Sequence, residues 1–260
     1  MLALELGRTR KLSGSGGRVG GVVQEPHLLI SAIAQALGCV SPVHALTLPE
    51  RSELIASTLI RSFGCEATLE RSRAVNALLV LLADHELPPG TLAVRAAASG
   101  GANLFDCISA GICASSGTEI AGHYAIVDRF LTARPTAVAL REKAIRLHQS
   151  GQQIPGFTHP LYKGGDPRAR HLLAIAADLA DDSFDMRQVF DFVAWAQENL
   201  ADHPRHEFGL VCLVRGLRLP VWSAAVLFLV ARMAGWAAHV QEQRGATGLW
   251  RPRARYVPQP

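Results

Sequence analysis

Residues 156–170 read Gly-Phe-Thr-His-Pro-Leu-Tyr-Lys-Gly-Gly-Asp-Pro-Arg-Ala-Arg. His159 sits in a loop stiffened by Pro160 and followed by the flexible pair Gly164 and Gly165. Asp166-Pro167-Arg168 then has the chemistry of a helix start. Asp166 can cap, Pro167 presets φ at the first helical position, and Arg168 lies just inside. An imidazole and a guanidinium are thus placed on a stiffened loop and a fresh helix N-terminus, as ordinary packing does not require.

Outward from this stretch the chain reads as helix after helix. Downstream, apolar residues at helical spacing predict helices near 167–181, 184–200, 207–217 and 221–243. Upstream, Thr47-Leu-Pro-Glu50 reads as a capping box, with Leu54, Ile55, Leu59, Ile60 and Phe63 behind it. Thr68 can cap a helix that carries Ala74, Leu78, Leu81 and Leu82 and ends at Pro88-Pro89-Gly90. A helix over 91–99 follows. Residues 102–115 are crowded with Ala, Gly, Cys and Ile, which predicts a central, closely packed helix. Ser115-Ser-Gly117 breaks the chain before a helix over 118–133, and Pro135 separates that from one near 136–149. No run alternates with period two long enough to argue a sheet, so the fold class is all-α. Residues 13–21 read as a flexible linker, and the last ten residues, with three prolines, as extended.

Composition narrows the function. The chain has 260 residues, 49% of them hydrophobic and 18% charged, which suffices for a large core. The net charge is +4, mostly from Arg, and arginine-rich surfaces suit phosphates and carboxylates of small ligands. No dense basic block with interleaved aromatics occurs, so nucleic acid is disfavoured. The five cysteines form no C-x-x-C pair, and buried free thiols in a reducing cytoplasm are expected. Met1–Arg10 is broken by charges and shows no signal-peptide core. The apolar run Val221–Ala231 stops at Arg232, short of the ~20 residues a membrane span needs, so a core helix and no membrane are expected.

A few polar residues stand out. His85, in Asp84-His85-Glu86, closes an apolar helix, where a solvated terminus is the plain alternative. Arg232 interrupts an apolar run, so it either pairs with a buried anion or lines a cavity. Arg251, Arg253 and Arg255 read either as a solvated basic end or as anion clamps. No metal site is expected: H-x-x-x-H and H-E-x-x-H are absent, and the pair His203 and His206 lies in a turn without a second pair. No nucleophile elbow, Walker or Rossmann fingerprint occurs. Histidines on separate helix ends together with arginines suit proton transfer on a polycarboxylate.

Four blocks carry a resemblance to a known family. GFTHPLYKGGDPRAR resembles the GFGHxxYxxxDPR signature of the citrate synthase family. LLADHELPPGTLAVRAAASGGANLFDCISAGICASSG resembles that family's ADHE block, and LFLVARMAGWAAHVQEQ and RPRARYV resemble its C-terminal helix and tail. The resemblance implies a helical homodimer: a flexible segment 1–21, a large domain over 22–123 and 207–260, and a small domain inserted over 124–206. It implies an enzyme that makes or breaks a C–C bond between an acyl-CoA and a 2-oxo dicarboxylate such as oxaloacetate, with coenzyme A thioester as co-substrate and no permanent cofactor.

By the same resemblance, His85, Arg168, Arg232 and Arg251 would bind the oxo acid, Arg251 across the dimer. His159 would polarise the keto group, and the backbone at Gly156 and Phe157 would meet the CoA adenine. Glu207 stands where the family has its aspartate base. Ile120 stands where the family has the histidine that stabilises the enol, with Glu119 and His123 as the nearest substitutes. The citryl-CoA lyase branch of the family has an apolar residue there. Cleavage of the lyase type is therefore one alternative, and a non-catalytic homologue that binds ligand or a partner subunit is another.

Overall fold

The structure is a computed structural model that describes residues 24–179, 184–246 and 248–255. Among these residues it has eleven helices and no strand, only an isolated bridge between Phe157 and Pro204. The helices are α1 (Gln24–Val40), α2 (Ile55–Ser62), α3 (Leu69–Leu81), α4 (Pro89–Ser99), α5 (Leu104–Ser115), α6 (His123–Leu131), α7 (Ala137–Gln149), α8 (Pro167–Leu179), α9 (Met186–Leu200), α10 (His206–Gly216) and α11 (Ser223–Gly245). The 1–21 segment falls outside the described residues.

One layer is organised around α11, which packs on α4, α5, α1 and α3. Small residues permit this. A Cβ on Gly111 would lie 3.0 Å from the Trp236 ring, and one on Gly90 2.8 Å from it. The expected small-residue helix, α5, is thus central. α11 is long and apolar enough to cross a membrane by length and composition, yet 61% of its apolar window is buried within the protein. It is a core helix, as its interruption by Arg232 predicts.

The other layer contains α6 to α10. Its most extensive contact is between α8 and α10. Gly209 and Gly216, two turns apart on α10, face Ala169 and Ala176, two turns apart on α8. The two helices therefore run parallel and close, with their N-termini side by side. The expected domain division at 206/207 falls in the first turn of α10, which by packing sits with α6 to α9.

Local chemistry explains the remaining differences. The 47–50 capping box does not cap: α2 starts at Ile55, because Glu53 takes over. Its carboxylate accepts the Glu50 N–H at 2.7 Å and pairs with Arg61, which also binds the Leu48 carbonyl. The helix expected over 118–133 is shorter, since Ile120 and Gly122 both turn back to the Gly117 carbonyl. At its far end Thr132 adopts φ +61° and its carbonyl is held by Arg215. Thr68 caps α3 as expected. All five cysteines are free, but only Cys107 and Cys212 are buried. Residues 251–255 are exposed and without regular structure.

Candidate active site

The N-terminus of α10 and the loop before α8 open onto a cavity of about 860 Å³, lined from separate parts of the chain by His85, Ile120, Tyr124, His159, Arg205, His206, Glu207, Phe228 and Arg232. Asp166 ties the two helices together. Its Oδ1 accepts the Arg168 N–H at 3.0 Å, which is the predicted cap. Its Oδ2 accepts the His206 N–H at 3.1 Å, so one carboxylate caps both helices. The Arg168 side chain adds two further bonds, at 2.9 and 2.8 Å. Burial pushes the Asp166 pKa up, but His206 and Arg168 hold it well below the carboxylate range.

His159 stands on the loop before α8. The Leu161 N–H donates to His159 Nδ1 at 3.1 Å, so in the neutral ring Nε2 carries the proton and can donate. Burial lowers the pKa of His159, which favours that neutral form. Thr158, at φ +59°, pins the loop by donating its N–H to the His203 carbonyl and its hydroxyl to Asp202. His85 lies against it, ring centroids 5.4 Å apart. Burial, then the charges of Arg168 and Arg232, lower the His85 pKa to about 4. Behind His85, Asp84 meets His239 of α11 at 3.1 Å, and Arg95 donates to the other nitrogen of that ring. Gly235 lets α11 approach so closely that a Cβ there would collide with the Ala83 carbonyl.

Two cations are buried without full compensation. Arg232 is 2% exposed, and its Nε and one terminal nitrogen have no hydrogen-bond partner. Burial lowers its pKa to about 10. Arg168 is 6% exposed and also has one unpartnered terminal nitrogen. It does not line the cavity directly, but its charge acts on His85. Unsatisfied buried guanidinium nitrogens are costly and are the donors a carboxylate fits.

Glu207, in the first turn of α10, is buried. Arg205 donates to its Oε1, and its Oε2 lies 3.2 Å from His206 Nδ1 without forming a hydrogen bond. Burial raises its pKa, but His206 and Arg205 more than offset this, so it stays ionised. Ile120 lines the same cavity, as does exposed Glu119.

Four expected residues lie elsewhere. His123 does not line the cavity; its Nε2 accepts the Gly156 N–H at 3.2 Å. Gly156 and Phe157 are buried beneath the loop rather than open to a ligand. The Gly156 carbonyl accepts the Arg205 N–H, Phe157 N–H goes to the Ile154 carbonyl, and the Phe157 ring packs on Phe192 and Phe208. Gly156 is required there: φ is +77°, and a Cβ would come within 2.9 Å of Phe208 Cβ. Arg251 is exposed and outside the cavity. Conversely, Tyr124 and Arg205 line the cavity although the sequence did not single them out, and His206, weighed there only as half of a metal pair, lines it too. The trace was present in His206, which directly precedes Glu207.

The family model "Citrate synthase, C-terminal domain" matches residues 23–253, which is most of the chain. The chain belongs to the citrate synthase family. It is 30% identical over 226 residues to the citrate synthase of Saccharolobus solfataricus, covering 81% of this chain and 58% of that protein. It is 31% identical over 200 residues to that of Corynebacterium glutamicum, covering 71% of this chain and 46% of that one. The chain thus spans about half the length of these relatives.

Among solved structures, citrate synthase from Thermotoga maritima shares the fold at TM-score 0.80 and 22% identity, over 92% of this chain and 68% of that one. The Thermoplasma acidophilum citrate synthase, a ternary complex with carboxymethyl coenzyme A and oxaloacetate, does so at 0.78 and 21%, over 97% and 71%. Citryl-CoA lyase from Hydrogenobacter thermophilus matches at 0.67 and 22%, over 80% and 86%. The citrate synthase fold expected from the four sequence blocks is therefore the fold of this chain.

Proposed function

We propose that this citrate synthase family member binds a 2-oxo dicarboxylate such as oxaloacetate together with an acyl-CoA, and makes or breaks the C–C bond between them. The observation that carries the reading is the pair of buried arginines, Arg168 and Arg232, each with an unpartnered guanidinium nitrogen beside His85 and His159. A dicarboxylate supplies the missing acceptors. His159 Nε2–H donates to the keto oxygen and draws charge from the carbon that is attacked. Glu207 takes the proton from the acyl carbon; the C–H pair forms the C=C bond of the enolate, and the thioester π pair moves to its oxygen. The enolate carbon then bonds to the keto carbon, the thioester π bond re-forms, and the keto π pair moves to oxygen, which takes the proton from His159 Nε2. In the cleavage direction these steps run backwards; in the condensing direction, attack of water on the new thioester releases the thiol.

Ile120 keeps a second reading, cleavage of the lyase type, beside the first, because the citryl-CoA lyase branch that the sequence resembles has an apolar residue at this position. The test is a melting experiment with millimolar oxaloacetate, followed by an assay for thiol release from acetyl-CoA and for acyl-CoA formation from citryl-CoA. A raised melting temperature with oxaloacetate is expected. No shift in folded protein overturns the reading and leaves a non-catalytic homologue.

We further infer a homodimer acting in the cytoplasm. Val80 on α3 and Leu92 on α4 are 70% and 42% exposed on the helical layer around α11, and Arg251 is free to reach a second copy. Light scattering that returns only 27.9 kDa counts against the dimer.

A further inference from the structure

Position 120 offers the thioester oxygen no donor for the acyl half of the proposed reaction, and few other groups in the cavity can supply one. Glu119 is exposed and, as a carboxylate, accepts rather than donates. His123 faces Gly156. Arg205 is engaged with Glu207. Tyr124 remains, four residues beyond Ile120 and in the first turn of α6. Its ring is buried, at 2% exposed, and lines the same cavity as Ile120 and Glu207. Its hydroxyl lies 3.4 Å from His206 Nε2. On the other edge of that imidazole, Nδ1 lies 3.2 Å from Glu207 Oε2 and 3.7 Å from Asp166 Oδ2. Phe228 stacks on the ring and fixes its plane, centroids 5.7 Å apart.

We propose that Tyr124 is a catalytic residue that donates the hydrogen bond to the thioester oxygen in place of the donor lost at Ile120, with His206 as its positioning residue. This deepens the acyl-CoA reading above and rests on it. Where its Nε2 carries a proton, His206 donates it to the tyrosine oxygen, while its Nδ1 faces the two carboxylates. The single hydroxyl proton of Tyr124 is then left for the substrate. As Glu207 removes the proton from the acyl carbon, the C–H pair forms the C=C bond and the carbonyl π pair moves onto oxygen. Tyr124 stabilises that oxygen by hydrogen bonding, and no further proton changes hands. A preorganised donor of this kind is worth on the order of 10²–10³ in rate.

The test is a double-mutant cycle between Tyr124→Phe and Ile120→His. The readout is exchange of the acetyl-CoA methyl protons into deuterium oxide with oxaloacetate present, and oxaloacetate binding serves as the control. The proposal expects Tyr124→Phe to lose roughly 10²-fold or more in exchange with oxaloacetate affinity kept. Ile120→His alone should gain less than about tenfold, yet restore most of the loss in the Tyr124→Phe background, a strong non-additivity. His206→Gln, which keeps a donor near Nε2, should retain more exchange than His206→Leu. The proposal is overturned if Tyr124→Phe exchanges like the parent. It is equally overturned if the parent does not exchange and Ile120→His gains alike in both backgrounds. Failure of the parent protein to bind oxaloacetate strikes the acyl-CoA reading itself.

Discussion

Two groups of side chains meet at the cavity, and they differ in how their charges are balanced. Around His85 and His159 the buried charges are cations, and Arg168 and Arg232 keep guanidinium nitrogens without partners. Around Glu207 each carboxylate has its own guanidinium: Arg205 pairs with Glu207 and Arg168 with Asp166. Among the described residues no carboxylate pairs with Arg232, whereas Glu207 and Asp166 each pair with a guanidinium. On the proposed function, the anionic oxo acid sits with the first group and the uncharged thioester end with the second. By the motif resemblance, the same contrast marks divergence: the first group would keep the family's residue types, while the second has Ile120 and Glu207 where the resemblance implies a histidine and an aspartate.

The comparison breaks most sharply at Glu207. Glu207→Gln keeps size and removes the base, so methyl-proton exchange should fall ~10²–10⁴-fold. Oxaloacetate affinity should hold, because the anion site lies with the other group. Equal loss of both, measured by exchange and by melting shift, would merge the two groups into one.

A smaller effect concerns pH. The folded-state pKa of His85 is lowered from 6.5 to about 4, and those of His159 and His123 are lowered as well, each first by burial. Their neutral forms are favoured by folding. As pH falls below 6.5 the unfolded chain takes up protons that the folded chain refuses, so stability declines towards about 4. His85→Gln should flatten that decline in urea titrations across the window; an unchanged slope would show that His85 is well solvated. Asp166 acts in the opposite sense of charge but the same direction of pH. Its lowered pKa adds stability above the ordinary carboxylate range, and that stability is lost as acid protonates the folded carboxylate.

The smallest effect separates scaffold from chemistry. Gly209→Ala places a Cβ 2.9 Å from the Ala169 carbonyl oxygen and 3.0 Å from Leu172 Cβ, across the α8–α10 contact. Overpacking of this kind costs roughly 1–3 kcal/mol. The melting temperature should drop, while Gly117→Ala, with nothing within 4 Å of its Cβ, should leave it unchanged.

Much of this was legible in the sequence, where the chemistry is local. Asp166-Pro167-Arg168 starts a helix because the cap and the preset φ are neighbours in the chain. Arg232 declared itself by breaking an apolar run. His85, His159 and Glu207 could be placed by their motifs, and the structure brings them to one cavity. What stayed hidden depends on convergence. Tyr124 and His206 are 82 residues apart, and nothing in either segment shows that they touch. Gly156 and Phe157 were placed at a ligand, yet the positive φ at Gly156 sends the next ring into the aromatic core instead. The capping box at 47–50 failed for a competing local reason, since Glu53 reaches back first.

The central claim is that the unpartnered cations await a dicarboxylate, and titration calorimetry with oxaloacetate tests it most directly. Arg232 is the informative variant, since Arg168 also balances Asp166 and its loss would leave a buried carboxylate unpaired. The parent protein should release heat on binding, and Arg232→Leu should weaken affinity by roughly 30-fold or more, the worth of a charge-assisted pair of about 2 kcal/mol or above. Folded parent protein that gives no heat at millimolar oxaloacetate, or an Arg232→Leu variant that binds as tightly as the parent, would contradict the account.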